Sequence, residues 1–243
     1  MGFSLDHAHL LHVLQVGEIR LEGEFLWGSN STFYVSVYMG GKVWKAVYKP
    51  VRGERPLWDF PPRTLAKRET AAYIVSQALG WELVPPTVFR SGAPFGAGSV
   101  QLYIEHDPEY HYFTFTQRDR ERLRPVVTFD LVVNNADRKG SHVLVDRHGH
   151  IWCIDHGICF HEQEKLRTVL WDFAGEPIPE ELVEDLRRVS EDLKRGTEWV
   201  AQLGTYLSLA EISAFQRRVE ALIRKPVFPS PPEERRPYPW PPI

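Results

Sequence analysis

The chain has 243 residues, with 29 Lys and Arg against 32 Asp and Glu, a formal net charge of −3 and 43% hydrophobic residues. That composition excludes a disordered or fibrous chain, and neither half carries the basic excess of a nucleic-acid binder. The length fits one large domain or two joined lobes, and with no apolar run near the roughly 18 residues of a membrane span and no signal-peptide pattern, a cytoplasmic protein is expected. Cys153 and Cys159 are the only cysteines, too few for a disulfide scaffold, and read as reduced thiols.

In chain order, a short helix is predicted over residues 5–14 and a strand over 18–26. The turn Trp27-Gly28-Ser29-Asn30-Ser31 leads into residues 32–37, where polar and apolar side chains alternate as in a half-buried strand. Gly40-Gly41 then turns the chain into a hairpin with residues 42–49. A loop rich in Pro and Arg (50–62) ends at Pro61-Pro62, which suits the first turn of a helix running to Leu79 and stopping at Gly80. Strands over 87–90 and 99–105 complete a five-stranded sheet with one helix. From Thr116 the period becomes helical: a helix over 125–134, a loop, a hairpin of 143–145 with 151–154, and helices over 179–193, 197–203 and 210–224. The last 18 residues, 226–243, contain eight prolines and read as an extended or disordered tail outside the core, with docking on a protein partner or folding back over the body as alternatives.

Alternation along residues 45–49 puts Val47 and Lys49 on one face of a strand, although a strand-end Lys is more often simply solvated. In the following helix, positions 65, 69, 72, 76 and 79 form one stripe, which places Glu69 among small and apolar residues. A buried carboxylate needs a cation or a set of hydrogen bonds, and Lys49 is the candidate partner, with surface pairing to Lys67 or Arg68 as the alternative. The densest signal is Asn134-Asn135-Ala136-Asp137-Arg138-Lys139-Gly140-Ser141-His142, followed by Ile154-Asp155-His156-Gly157 after the hairpin. Two carboxylates thus reach loop ends eighteen residues apart; turn chemistry alone would also place Asn, Asp and Gly there.

The order of these parts resembles the protein-kinase-like superfamily: a Gly/Ser turn between two strands, a strand Lys, a helix Glu, a loop Asp and an Asp-x-Gly. The Asp137-Arg138 start is similar to the atypical branch containing phosphatidylinositol 3- and 4-kinases and HipA-like bacterial kinases. The resemblance covers roughly residues 23–173. It implies an α+β, bilobal kinase-like fold: residues 1–105 as an N-lobe of antiparallel sheet and one main helix, 106–225 as a mostly helical C-lobe with a catalytic hairpin, and 226–243 as the tail. It implies phosphoryl transfer from ATP, with Mg2+ or Mn2+, to a hydroxyl of a protein, small molecule or lipid headgroup. Lys49 resembles the phosphate-holding Lys and Glu69 its helix partner, while Asp137 resembles the catalytic Asp, with Arg138 and Lys139 either adding positive charge beside it or forming a solvated basic loop. Asp155 resembles the metal-binding Asp. Gly28, Ser29, Asn30 and Ser31 would cover the phosphates, Val47 would pack on the adenine, and Tyr103, Ile104, Glu105 and His106 would form the hinge.

One position departs from the family. Five residues after Asp137, where an Asn usually ligates a second metal, stands His142, a softer ligand poorly matched to Mg2+. Either His142 serves a metal such as Mn2+, Ser141 substitutes, or the second metal is lost and the protein is a nucleotide-binding pseudokinase. A rival from another class is a metal-dependent hydrolase built on His7, His9, His148, His150, His156 and His161.

Overall fold

The structure is a computed structural model that describes residues 7–25 and 30–243. Its first half is a five-stranded antiparallel sheet in the order β1-β2-β3-β5-β4, formed by β1 (Glu18–Glu24), β2 (Phe33–Met39), β3 (Lys42–Pro50), β4 (Thr87–Arg90) and β5 (Gly98–Leu102). Successive side chains alternate between faces, so the register sorts the residues. Tyr48 lies opposite Val100, and Val100 opposite Val88. Together with Val35, Val37 and Ala46 these make an apolar face, buried under Val13 and Leu14 of α1 (His7–Val16). The other face is polar: Val47 lies opposite Gln101, Lys49 opposite Ser99, and Gln101 opposite Thr87.

Against that polar face stands α2 (Leu65–Leu79). Twelve of its 15 residues are buried, so it is wedged between the sheet and the second half of the chain and does not ride on a single stripe. It begins four residues after Pro61, because Arg63 adopts a left-handed φ of +64° that no helix can include. Its end is the expected one: Gly80, at φ 75°, caps the last turn.

The second half is built on α4 (Arg124–Val133), α5 (Glu180–Arg195), α6 (Glu198–Leu203) and α7 (Leu209–Arg224), with a short α3 (Gln117–Glu121) before them and the hairpin β6 (Val143–Val145) with β7 (Ile151–Cys153). Its core joins α4, α5 and α7 to Ala71, Ile74 and Val75 of α2. Fully buried Arg68 fastens α2 further, donating to the Cys159 carbonyl and to Glu211 of α7. Among the described residues no helix is long and apolar enough to cross a membrane.

The tail is not an extended segment outside the core; it follows the alternative of folding back over the body. Phe228 is buried against Phe173 in the main core, and the chain beyond it lies along the C-lobe. Proline lacks an N–H but keeps a carbonyl acceptor. Pro226, Pro237 and Pro242 accept from the backbone N–H groups of Ile178, Thr168 and Gly140 at 2.9, 3.0 and 2.8 Å. Arg235 adds bonds to the Leu166 carbonyl and the Glu164 carboxylate, both at 2.6 Å.

Candidate active site

Between the polar face of the sheet, α2 and the C-lobe loops lies a cleft of about 460 Å3. Lys49 enters it from the end of β3 and joins three elements. Its ammonium donates to Glu69 of α2 and, at 2.8 Å, to Asp155 after β7. Glu69 is 3% exposed, and its second oxygen accepts from the His156 N–H at 2.9 Å. Burial pushes the Glu69 carboxyl up. Asp155 behaves oppositely: burial would raise it, but the Lys49 ammonium and His142 outweigh that and hold it well below the usual carboxylate range. Lys49 is held above its ordinary value, since the two carboxylates outweigh its desolvation. Asp155 sits at φ +61°, a left-handed conformation that costs a non-glycine residue roughly 1 kcal/mol or more and is found where a site over-determines the backbone.

The second carboxylate arrives from the C-terminus of α4. Asn134 ends that helix at φ 56°, and its side chain pins the segment 161–165 through the His161 and Gln163 carbonyls and the Lys165 N–H. The Asp137 N–H donates to the Asn135 side chain at 3.0 Å, which turns its carboxylate into the cleft. Burial raises the Asp137 carboxyl to about 6, although Lys139, 3.6 Å away, and Arg167 pull it down.

Arg138 corrects its sequence reading. It does not line the cleft or face a transferring phosphate; it is fully buried, paired with Asp130 of α4 at 2.9 Å. It donates to the carbonyls of Ile154 and His142 and, at 2.7 Å, to His156 Nε2. Because a guanidinium only donates, His156 must accept there as neutral imidazole. Burial and the Arg138 charge hold its pKa well below the usual value. Arg138 therefore ties the Asp137 loop to the Asp155 loop from beneath.

His142 Nε2 lies 3.4 Å from the Asp155 carboxylate. Burial lowers its pKa to about 4, opposed by Asp155 and reinforced by Arg138, so it is a neutral imidazole at pH 7. His142 Nδ1 accepts from the Lys139 N–H, so the neutral ring carries its proton on Nε2 toward Asp155; the Asp155 carboxylate fits a divalent ion as it stands, and Nε2 would join it on giving up that proton.

Of the residues read from sequence, Asn30, Ser31, Val47, Lys49, Glu69, Tyr103, Ile104, His106, Asp137, Lys139, His142 and Asp155 line this one cleft. Glu105 is exposed and lies outside its wall. Gly28 and Ser29 fall outside the described residues. Sequence reasoning missed Glu54, which accepts from the Ala66 N–H at 2.9 Å with its second oxygen buried and unpartnered, and Gln101, a polar residue on the inward face of β5. The alternation that found Val47 and Lys49 also marks Gln101, once β5 is paired with β3.

The histidines of the hydrolase reading are dispersed. His7 meets Tyr73, His150 lies against Trp152 in a tilted ring contact, His156 is locked on Arg138, and His161 bonds the Asp59 carbonyl. Among the described residues no three His, Cys, Asp or Glu side chains converge on a metal position.

The fold is kinase-like. Solved structures that share it include the Golgi casein kinase (TM-score 0.54, 15% identity, covering 92% of this chain and 75% of that one). Hydra Fam20 is similar (0.55, 14%, 93% and 90%), as is the Helicobacter pylori proinflammatory kinase CtkA (0.53, 10%, 88% and 94%). The sequence matches the phosphatidylinositol 3- and 4-kinase family over residues 62–212, and the chain belongs to that family. It is 38% identical to Protein Rv2133c of Mycobacterium tuberculosis (strain ATCC 25618 / H37Rv), over 94% of each chain. It is 25% identical to phosphatidylinositol 4-kinase gamma 4 of Arabidopsis thaliana over 66% of this chain, and spans 36% of that protein's length. Fold and family together support a phosphotransferase.

Proposed function

We propose that the protein is an ATP-dependent kinase that transfers the γ-phosphate to a hydroxyl of a cytoplasmic acceptor. The observation that carries this reading is the single ammonium of Lys49 held between Glu69 and Asp155 at the floor of the cleft. In this reading residues 1–105 form the nucleotide-binding lobe, 106–225 the catalytic lobe and 226–243 a segment braced against it. Lys49 neutralises phosphate oxygens, and Glu69 holds Lys49 in place. Asp155 and His142 would hold Mg2+ or Mn2+, which supplies charge neutralisation at the transferring phosphate. Val47 and Ile104 enclose the base, Tyr103 and His106 border it, and Asn30 and Ser31 lie on the phosphate side.

Asp137 takes the acceptor's proton as the acceptor oxygen bonds to the γ-phosphorus, while the bond from that phosphorus to the ADP oxygen breaks. A carboxyl raised to about 6 is matched to that exchange: ionised at pH 7, yet basic enough to accept a proton. Lys139 stands beside it, placed to steady charge on the acceptor side.

The test is thermal unfolding with ATP and Mg2+ or Mn2+ on wild type and Asp155→Asn, together with phosphoryl transfer on wild type and Asp137→Ala. The kinase reading expects stabilisation lost in the first variant and turnover lost in the second. Binding without turnover favours the pseudokinase, the reading that His142 in place of Asn supports.

A further inference from the structure

We propose that Gln101 reads the six position of the nucleotide base and selects an amino group there, its amide oxygen being aimed into the cleft by Thr87. This inference rests on the nucleotide-binding reading above and names a specificity residue within it.

Gln101 is 7% exposed and lines the base end of the cleft, one residue before Leu102 and two before Tyr103. It lies directly opposite Val47 on β3 and Thr87 on β4, so all three share the polar face of the sheet. A primary amide has a donor end and an acceptor end, and its neighbours decide which one a ligand meets. Thr87 Oγ1 spends its one proton on the Pro85 carbonyl at 2.7 Å, a group that can only accept. Toward Gln101 that hydroxyl can therefore only accept, and Nε2 donates to it at 2.8 Å. The nitrogen end is thereby committed to β4, and the oxygen is the end left to the cleft.

A second acceptor follows at the next residue. Leu102 donates its N–H to the Pro86 carbonyl at 2.9 Å, but proline has no N–H to return, so the Leu102 carbonyl has no ladder donor. Leu102 lines the same cleft. Two acceptors on consecutive residues suit a group with two protons, the exocyclic amine of an adenine-type base. A base with a carbonyl at that position would press a third acceptor against them beside the buried Gln101 side chain, where unpaired polar groups are costly.

Isothermal titration of the full-length protein with Mg2+ and ATP, inosine triphosphate or purine riboside triphosphate tests this. The three differ at the six position as amine, carbonyl and hydrogen. Wild type is expected to bind ATP tighter than inosine triphosphate by on the order of 100-fold, with purine riboside triphosphate between them. Thr87→Val frees the amide to turn its N–H2 toward a six-carbonyl, and the ATP-to-inosine ratio should fall at least roughly tenfold; Thr87→Ser, which keeps the hydroxyl, should restore it. Gln101→Met serves as the second variant should Thr87→Val fail to fold, and is expected to narrow the preference for ATP over purine riboside triphosphate at least roughly tenfold, the Leu102 carbonyl keeping the remainder. If wild type binds ATP and inosine triphosphate within about threefold of each other, or the ratio survives both variants, the amide inference is overturned while the nucleotide site stands. If none of the three nucleotides binds, the nucleotide reading itself is overturned.

Discussion

Replacing Lys49 by Met keeps most of the aliphatic stem and removes one ammonium from two carboxylates. The Asp155 arm opens on the cleft, 48% exposed, where water screens it and it adds little to stability. The Glu69 arm is different, because that carboxylate is 3% exposed and would keep only the His156 N–H. Stranding a buried charge costs about 3–5 kcal/mol. Glu69 can escape by taking up a proton, which from a reference pKa of about 4.3 costs about 4 kcal/mol at pH 7 and about 1 kcal/mol at pH 5. The sign follows: a carboxyl whose folded pKa is raised stabilises the fold fully below its unfolded pKa and loses that contribution as pH rises. The Lys49→Met penalty should therefore grow from about 1 to about 4 kcal/mol between pH 5 and pH 7. In a chain of this length that corresponds to a fall in Tm of roughly 8–16 °C at pH 7. Urea unfolding of Lys49→Met and of Lys49→Met/Glu69→Gln at both pH values measures it. The double variant should recover most of the loss and lack the pH dependence. A penalty that is flat from pH 5 to pH 7, or no recovery in the double variant, would refute the account of Glu69 as the stranded charge.

Other outcomes follow from the same geometry. Because Asp137 must be ionised to take a proton, kcat/KM should rise with pH through an inflection near 6, and Arg167→Ala, removing a cation that lowers that carboxyl, should shift the inflection upward. His142→Asn replaces imidazole by an amide oxygen, so metal-dependent melting should change from preferring Mn2+ to preferring Mg2+; an unchanged order would remove His142 from the metal site. Arg138→Met leaves buried Asp130 without its cation, with the Asn135 amide still donating to it, and should cost about 3–5 kcal/mol in unfolding experiments. Truncation after Ser230 removes the carbonyls of Pro237 and Pro242, and hydrogen exchange should show faster exchange of the Thr168 and Gly140 amides, the latter in the loop that carries Asp137.

Much of the site was legible because its parts lie on elements whose period is visible. The Lys45-Ala46-Val47-Tyr48-Lys49 alternation gives the face of β3 without any knowledge of its neighbours, and a carboxylate amid the apolar positions of α2 calls for a cation. The start of α2 was misread because Pro61 and Pro62 suit a first turn, whereas the backbone at Arg63 runs left-handed and the first turn is capped at the Ala66 N–H by the Glu54 carboxylate from twelve residues away. The tail was misread because proline content argues against regular structure and is silent about carbonyl acceptors, which here meet three free N–H groups of the C-lobe.

Arg138 shows where local reading ends. A basic residue beside a carboxylate that the kinase resemblance makes catalytic looks like an electrostatic aid to phosphate, and nothing nearby in sequence says otherwise. Its partner Asp130 lies eight residues back on α4, and only the packing of that helix under both loops makes burial affordable for the charge.

From the sequence alone come the strand and helix order, the sheet face that carries Lys49, and the succession of Lys49, Glu69, Asp137 and Asp155, since these rest on period and residue chemistry within a single element. The tertiary structure alone decides that one ammonium joins groups 20 and 106 residues away, that Arg138 turns inward, and that the Gln101 amide nitrogen is engaged by Thr87 across the sheet. The physical reason is that burial, and the partner that satisfies a buried polar group, are properties of the packed chain.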